Sequence, residues 1–165
     1  MKYKYLPHTA DAKFRAFGKN LEEAFSNAAL AMFNVMVDTS KVKNKTNKKI
    51  EAEGRDLQAL LYNFLEQFLI LLDAENFFLA AIKKIKITQI KKNSGGNSSS
   101  YKLIAEATGD DAGKYETIGP QVKAVTYNDM VVDIEKDNCV VQVVIDIWFS
   151  ATIARLSWKS RFQPA

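Results

Sequence analysis

Between Asp56 and Asp73 the apolar residues Leu57, Leu60, Leu61, Phe64, Leu65, Phe68 and Leu72 recur at intervals of three and four. That spacing stacks side chains along one side of an α-helix. The stripe is broad enough to leave little of the helix for water, so it predicts a mostly buried helix that the rest of the chain must enclose. With 165 residues, 47% of them apolar and 25% charged, the chain is an ordinary single-domain length and can bury about two thirds of its unfolded surface. It needs neither a metal nor a disulfide to hold a core, which makes any bound ion functional rather than structural.

The flanking segments supply the enclosure. Tyr3-Lys4-Tyr5-Leu6 and Ala12-Lys13-Phe14-Arg15-Ala16-Phe17 alternate as strands, with Ala12, Phe14 and Ala16 on one face and Asp11, Lys13 and Arg15 on the other. Asn20 followed by Glu23 is close to a capping box. It opens a first helix whose apolar side is Leu21, Ala24, Phe25, Ala28, Ala29, Met32 and Met36, with Glu22, Glu23, Asn27 and Asn34 opposite. The polar stretch 38–47 reads as a loop and Lys48 to Gly54 as a short strand.

After the second helix, Phe77 to Ile90 and Tyr101 to Thr108 read as strands around a polar, Gly/Ser-rich hairpin link over 91–100. Val122 to Tyr127, Met130 to Ile134 and Cys139 to Ile147 follow, the last two predicted as a hairpin about Glu135-Lys136-Asp137-Asn138. In the final strand Cys139, Val141, Val143, Ile145 and Ile147 share one face, and Val140, Gln142, Val144 and Asp146 the other. The order βαβαβββ, without internal repeats, is neither a regular βαβ alternation nor all-β. The expected class is α+β: one domain, a mainly antiparallel sheet and two amphipathic helices packed on one face.

Composition excludes several functions. The most apolar stretch, Phe64 to Ile82, is interrupted by Glu66, Asp73 and Glu75, so no membrane span is expected. Met1-Lys2-Tyr3-Lys4-Tyr5 lacks a following apolar segment, so no secretory signal is expected and the cytoplasm is the default location. The single cysteine, Cys139, is read as a small core residue. His8 is the only histidine, which rules out a multi-imidazole zinc site. Ser94-Gly95-Gly96 opens no helix, so a phosphate cradle is not expected, and no motif supplies partners for a catalytic triad around His8.

The net charge is +4, but Arg155, Lys159 and Arg161 lie in the 18 residues from Trp148 onward, which contain no acid. Removing those three cations leaves a body of +1, short of the basic surface by which a protein alone grips a phosphate backbone.

What remains is an acid near each end: Asp11 in Pro7-His8-Thr9-Ala10-Asp11, and Asp146 in Val143-Val144-Ile145-Asp146-Ile147. A carboxylate closing a strand beside an apolar core is costly to bury unless it is paired or holds a cation. Taken alone, Asp11 is a turn or cap residue and Asp146 a solvent-facing or salt-bridged strand end. Two of them together suggest a small metal site. His8 is read as a hydrogen-bonding residue that orients the loop, with direct ligation the lesser alternative. Asp38 is read as a helix-end residue before a third acid of the site.

These residues carry a resemblance. His8-Thr9-Ala10-Asp11, the helix Leu21-Glu22-Glu23-Ala24-Phe25-Ser26-Asn27-Ala28-Ala29, Val122-Lys123-Ala124-Val125-Thr126-Tyr127 and Val143-Val144-Ile145-Asp146-Ile147 resemble the archease family, in its order, over residues 1–147. The resemblance implies an accessory protein rather than an enzyme. Its partner would be an RtcB-type tRNA-splicing RNA ligase, whose guanylylation and multiple turnover it promotes, and whose choice of nucleotide cofactor it relaxes. It also implies a metal site on Asp11, Asp146 and Ile147, and an activating role for Lys123. Oxygen ligands of this kind suit Ca²⁺, Mg²⁺ or Mn²⁺.

The chain departs from the family's pattern in two places. Family members commonly stop at the Asp-Ile pair, whereas here residues 148–165 follow as an extension of uncertain origin, so Ile147 carries a peptide carbonyl instead of a terminal carboxylate. Around Lys123, Tyr115-Glu116, Gln121 and Asn128 stand where the family often has histidine, an acid and histidine. Two other classes remain: a chaperone-like binding module for a tRNA methyltransferase, touching tRNA only indirectly, and a metal-dependent hydrolase turning over without any ligase.

Overall fold

A computed structural model describes residues 1–8, 10–91 and 99–150. The elements are β1 (Tyr3–Leu6), β2 (Ala12–Gly18), α1 (Leu21–Asn34), β3 (Thr46–Gly54), α2 (Leu57–Glu75), β4 (Phe77–Lys91), β5 (Ser99–Asp111), β6 (Gln121–Glu135) and β7 (Asn138–Trp148). Short 3₁₀ turns occupy Thr39–Lys41 and Ala112–Lys114. The class is α+β and every strand pairing is antiparallel. The strands divide between two sheets, β1-β2-β7-β6 and β3-β5-β4, and each helix touches strands of both. The observed order is ββαβαββββ: both strands expected before α1 are present, and the five segments expected after α2 form four strands.

Both helices begin the same way. Gly18-Lys19-Asn20-Leu21 and Gly54-Arg55-Asp56-Leu57 each end a strand with glycine and start a helix from an Asn or Asp cap. Asn20 Oδ1 accepts from Glu23 N at 2.9 Å, and Asp56 Oδ1 from Ala59 N at 2.7 Å, which satisfies helix N–H groups that lack intrahelical partners. Glu23 reaches back to the N–H of Lys19, one residue before the cap, at 2.8 Å. A Cβ on Gly18 would lie 2.4 Å from Ala24 N, and one on Gly54 2.3 Å from Leu60 N. Only glycine lets the strand end approach the helix this closely. The same four-residue turn is thus used at both strand-to-helix junctions.

The predicted stripe of α2 is buried at Leu60, Leu61, Phe64, Leu65 and Phe68. Phe64 and Phe68 meet edge to face at 5.2 Å, Phe68 meets Phe33 of α1 at 5.9 Å, and Phe25 stacks on Phe64 at 6.1 Å. Asn27 corrects the sequence reading: it is buried, not on a wet face, and its Nδ2 donates to Phe17 O at 2.7 Å. Cys139 is buried as expected, and burial pushes its thiol pKa up.

Side chains of the helices reach the sheet edges and explain why the strands form two sheets rather than one. Glu66 of α2 accepts from Val125 N on edge strand β6 at 3.2 Å, and Gln58 donates to Met130 O at 3.1 Å. Glu22 of α1 accepts from Ile87 N on edge strand β4 at 3.1 Å. Edge groups answered by helix side chains have no need of another strand. The two strands expected at 122–127 and 130–134 are one long strand, β6, interrupted between Thr126 and Val131, where Asp129 adopts a left-handed φ of 50°. The β6–β7 hairpin closes with Glu135 opposite Asn138. Most of the predicted 91–100 link lies outside the described residues.

Candidate metal-binding end of the four-stranded sheet

Strand β2 pairs with β7 from Gly18–Cys139 to Ala12–Ile145. Asp11 immediately precedes Ala12 and Asp146 immediately follows Ile145, so the two acids flank the last pair, one at the entry of β2 and one on β7. Alternation then decides their direction. Ala12 and Ile145 face the core at 3% and 0% exposure, which leaves Asp11 and Asp146, both half-buried, on the outer side.

Lys123 arrives at the same end by a bulge. Val122 pairs with Ile147 and Ala124 with Asp146, so Lys123 is the extra residue between them, opposite the Asp146–Ile147 step. It is exposed, has no ion-pair partner among the described residues, and lines a shallow pocket of about 320 Å³ with Asp73 and Trp148. All four residues singled out in the sequence, Asp11, Lys123, Asp146 and Ile147, therefore come to one end of this sheet.

Ile147 offers the least. Its side chain is buried at 8% exposure, β7 continues to Trp148, which pairs with Gln121, and Phe149 packs on the core. Only a main-chain carbonyl within the ladder is left to donate. Residues 151–165 of the extension lie outside the described residues.

The neighbours expected to assist are differently engaged. His8 Nδ1 is buried, has no hydrogen-bond partner among the described residues and lies 3.9 Å from Asp11 Oδ2. Asp38 caps the Thr39–Lys41 turn, accepting from Ser40 Oγ at 2.6 Å and Ser40 N at 3.2 Å, as a helix-end residue does.

Among the described residues no group of three or more His, Cys, Asp or Glu side chains is gathered to hold a metal ion. Two carboxylates and an unpartnered imidazole nitrogen make an open donor set. It suits a hard cation that keeps waters or phosphate oxygens as its remaining ligands, the habit of Mg²⁺ more than that of a closed protein cage.

Sequence reasoning missed a buried polar cluster beside the loop after α1. Asp110, 4% exposed, accepts from Lys114 Nζ and Tyr115 Oη, each at 2.8 Å, and from Asp111 N at 2.8 Å. These bonds, led by the one from Lys114, hold its carboxyl pKa down at about 2. Tyr115 Oη also accepts from Lys43 N at 3.0 Å, which ties the loop down. The only sequence signal was an Asp-Asp pair at the end of a strand, too common to single out.

Comparison with known proteins follows the same boundaries. The sequence model of the archease protein family (MTH1598/TM1083) matches residues 3–147. Protein archease of Methanosarcina barkeri is 38% identical over 149 residues, covering 88% of this chain and 95% of that protein. The solution structure of Methanobacterium thermoautotrophicum protein 1598 is 33% identical, with a TM-score of 0.70 over 88% of this chain and 98% of that one. The crystal structure of an archease from Thermotoga maritima, described as a possible chaperone, shares the fold with a TM-score of 0.51 at 18% identity, covering 86% and 94% of the two chains. No helix among the described residues is long and apolar enough to cross a membrane.

Proposed function

Because the chain belongs to the archease family, we propose that it is an accessory protein that activates an RtcB-type tRNA-splicing RNA ligase in the cytoplasm, promoting the ligase's guanylylation and its multiple turnover. The observation that carries this reading is the β2–β7 register, which sets Asp11 and Asp146 at the same end of adjacent strands. Their carboxylates would hold a divalent cation, Mg²⁺, Mn²⁺ or Ca²⁺, with the Ile147 carbonyl as a weaker donor.

When bound, such a cation neutralises charge on phosphoryl oxygens. The chain's own contribution is positional: one acid at the entry of β2, one on β7, and an exposed lysine on a bulge opposite the Asp146–Ile147 step, free to meet a phosphate or an acid of the partner. An incomplete shell supports a shared cation, because the missing ligands would come from the partner's site. The chain has no catalytic role of its own in this reading.

The test is single-turnover guanylylation of the cognate ligase, with Mn²⁺ binding to the isolated chain followed by calorimetry. Asp11→Asn and Asp146→Asn should each weaken Mn²⁺ at least about tenfold and remove the stimulation. Lys123→Ala should abolish stimulation while leaving Mn²⁺ binding intact. Full stimulation by both aspartate variants would end the cation reading. It would favour the binding-module alternative, in which a methyltransferase partner is bound regardless of these charges. Turnover of a phosphoester with no ligase present would favour a hydrolase.

A further inference from the structure

We infer that the outer face of the β1–β2 edge is a docking surface for the phosphate backbone of RNA, contacted by Lys2, Lys4 and Arg15. The inference goes beyond ligase activation and does not depend on the cation. The register sets Lys4 directly across from Arg15. Lys2 follows on the same face, its carbonyl accepting from Phe17 N at 2.9 Å. Like charges placed opposite one another on neighbouring strands destabilise a sheet. All three side chains are exposed, and no carboxylate comes within ion-pair distance of any of them among the described residues. A charge arrangement that opposes local stability and is left uncompensated is a mark of function.

The arginine is also held in place. Its Nε donates to Gln142 Oε1 at 2.9 Å. Gln142 is buried, at 7% exposure, and its Nε2 donates to Asp129 O at 2.8 Å. The guanidinium is thus fixed through one nitrogen by a neutral amide, with its charge undiminished and its two terminal amino groups left for a phosphate. The Asp129 carboxylate, on the residue whose carbonyl holds Gln142, is already engaged, since it pairs with Lys13 Nζ at 3.1 Å. Lys4 is steered in turn by the Phe17 ring, with its ammonium 5.9 Å from the centroid.

Charge with little exposed apolar surface favours RNA over an acidic protein: the apolar side chains of β1 and β2 on this face, Leu6 and Phe17, are half-buried. A protein interface is built around buried aromatic or aliphatic contacts. Apart from the terminal Met1, the exposed large apolar side chains lie elsewhere: Ile70, Ile90, Ile104, Tyr127, Ile134 and Trp148 among them. None is on β1 or β2. The net charge is small, but its distribution is not even.

The experiment is fluorescence anisotropy of the full chain with a short, labelled single-stranded RNA of mixed sequence, in EDTA and without ligase, across a series of KCl concentrations. Three phosphate contacts predict a slope of log K against log salt of about −2, since each contributes about 0.7 on a single strand. Lys4→Gln and Arg15→Gln should each weaken binding and flatten that slope by about 0.7. Gln142→Leu keeps every charge, so it should weaken binding with the slope unchanged, which marks it as a positioning residue. Lys83→Gln with Lys86→Gln, on the other sheet, should have no effect. The proposal is overturned by absence of binding at the lowest salt, or by binding indifferent to Lys4 and Arg15. It is equally overturned if polyglutamate displaces the RNA as well as unlabelled RNA does at equal charge, which would assign the face to an acidic protein. Because no ligase or cation is present, these failures leave the activation reading untouched, and loss of stimulation by the aspartate variants does not bear on this one.

Discussion

Asp110 is a carboxylate whose surroundings decide its charge. Lys114, Tyr115 and the Asp111 amide all donate to it, and its pKa falls to about 2, below the value of about 3.9 usual for an unfolded aspartate. A depressed folded pKa contributes stability that is fully present above about pH 4 and is lost as pH falls through about 2. Asp110→Asn should therefore lower Tm at neutral pH, and the difference from the parent chain should shrink as pH falls from about 4 and vanish below about 2 in a calorimetric pH series. Lys114 carries the reciprocal effect. Its pKa is raised by the same bond, so its share is present below its unfolded value of about 10.4 and fades as pH rises through the higher folded value. Residue-level reading of the sequence placed Asp11 and Asp146 on the outer face correctly, because alternation along a strand is a local property. It misplaced Asn27, because a buried amide is chosen by a strand carbonyl ten residues away, which no helical pattern reveals.

At the scale of elements, strand-to-helix turns and bulges set the geometry. Gly18 and Gly54 let β2 and β3 run straight into α1 and α2. Gly54→Ala would force a methyl to within 2.3 Å of Leu60 N. The helix start must shift, at a cost of about 1–3 kcal/mol, measurable by urea unfolding, and Gly18→Ala should behave alike. The caps at Asn20 and Asp56 and both helical stripes were legible in the sequence, since each needs only residues within a turn of one another. The bulge that sets Lys123 opposite the Asp146–Ile147 step was not, because it is defined by what lies across the ladder. Nor was the use of Glu22 and Glu66 to answer edge amides: on a helical wheel both are simply polar positions.

On the scale of the whole molecule, the phenylalanines of α1 and α2 form a shared core touched by both sheets. Phe64, fully buried between Phe25 and Phe68, should cost about 3–5 kcal/mol when changed to alanine, read as a lower denaturant midpoint with a nearly unchanged m-value. The chain's continuation past Ile147 is also a whole-molecule matter. A version ending at Ile147 gains a terminal carboxylate beside Asp146 but loses the Gln121–Trp148 pair and the packing of Phe149. It should bind Mn²⁺ more tightly and melt at a lower temperature, two effects that calorimetry and thermal unfolding separate.

By itself the sequence determined the α+β class, nearly every strand and helix, the family and the face on which each acid lies. All of these follow from periodicity, capping and short motifs, which act over a few residues. Only the tertiary structure decided that the strands form two sheets and not one, that the acids near the two ends of the chain flank the same Ala12–Ile145 pair at one end of the four-stranded sheet, and that Lys2, Lys4 and Arg15 make a basic edge with no ion-pair partner among the described residues. Strand partners are chosen by burial of distant apolar faces and by which backbone edges the helices cover. Those choices exist only once the whole chain has packed.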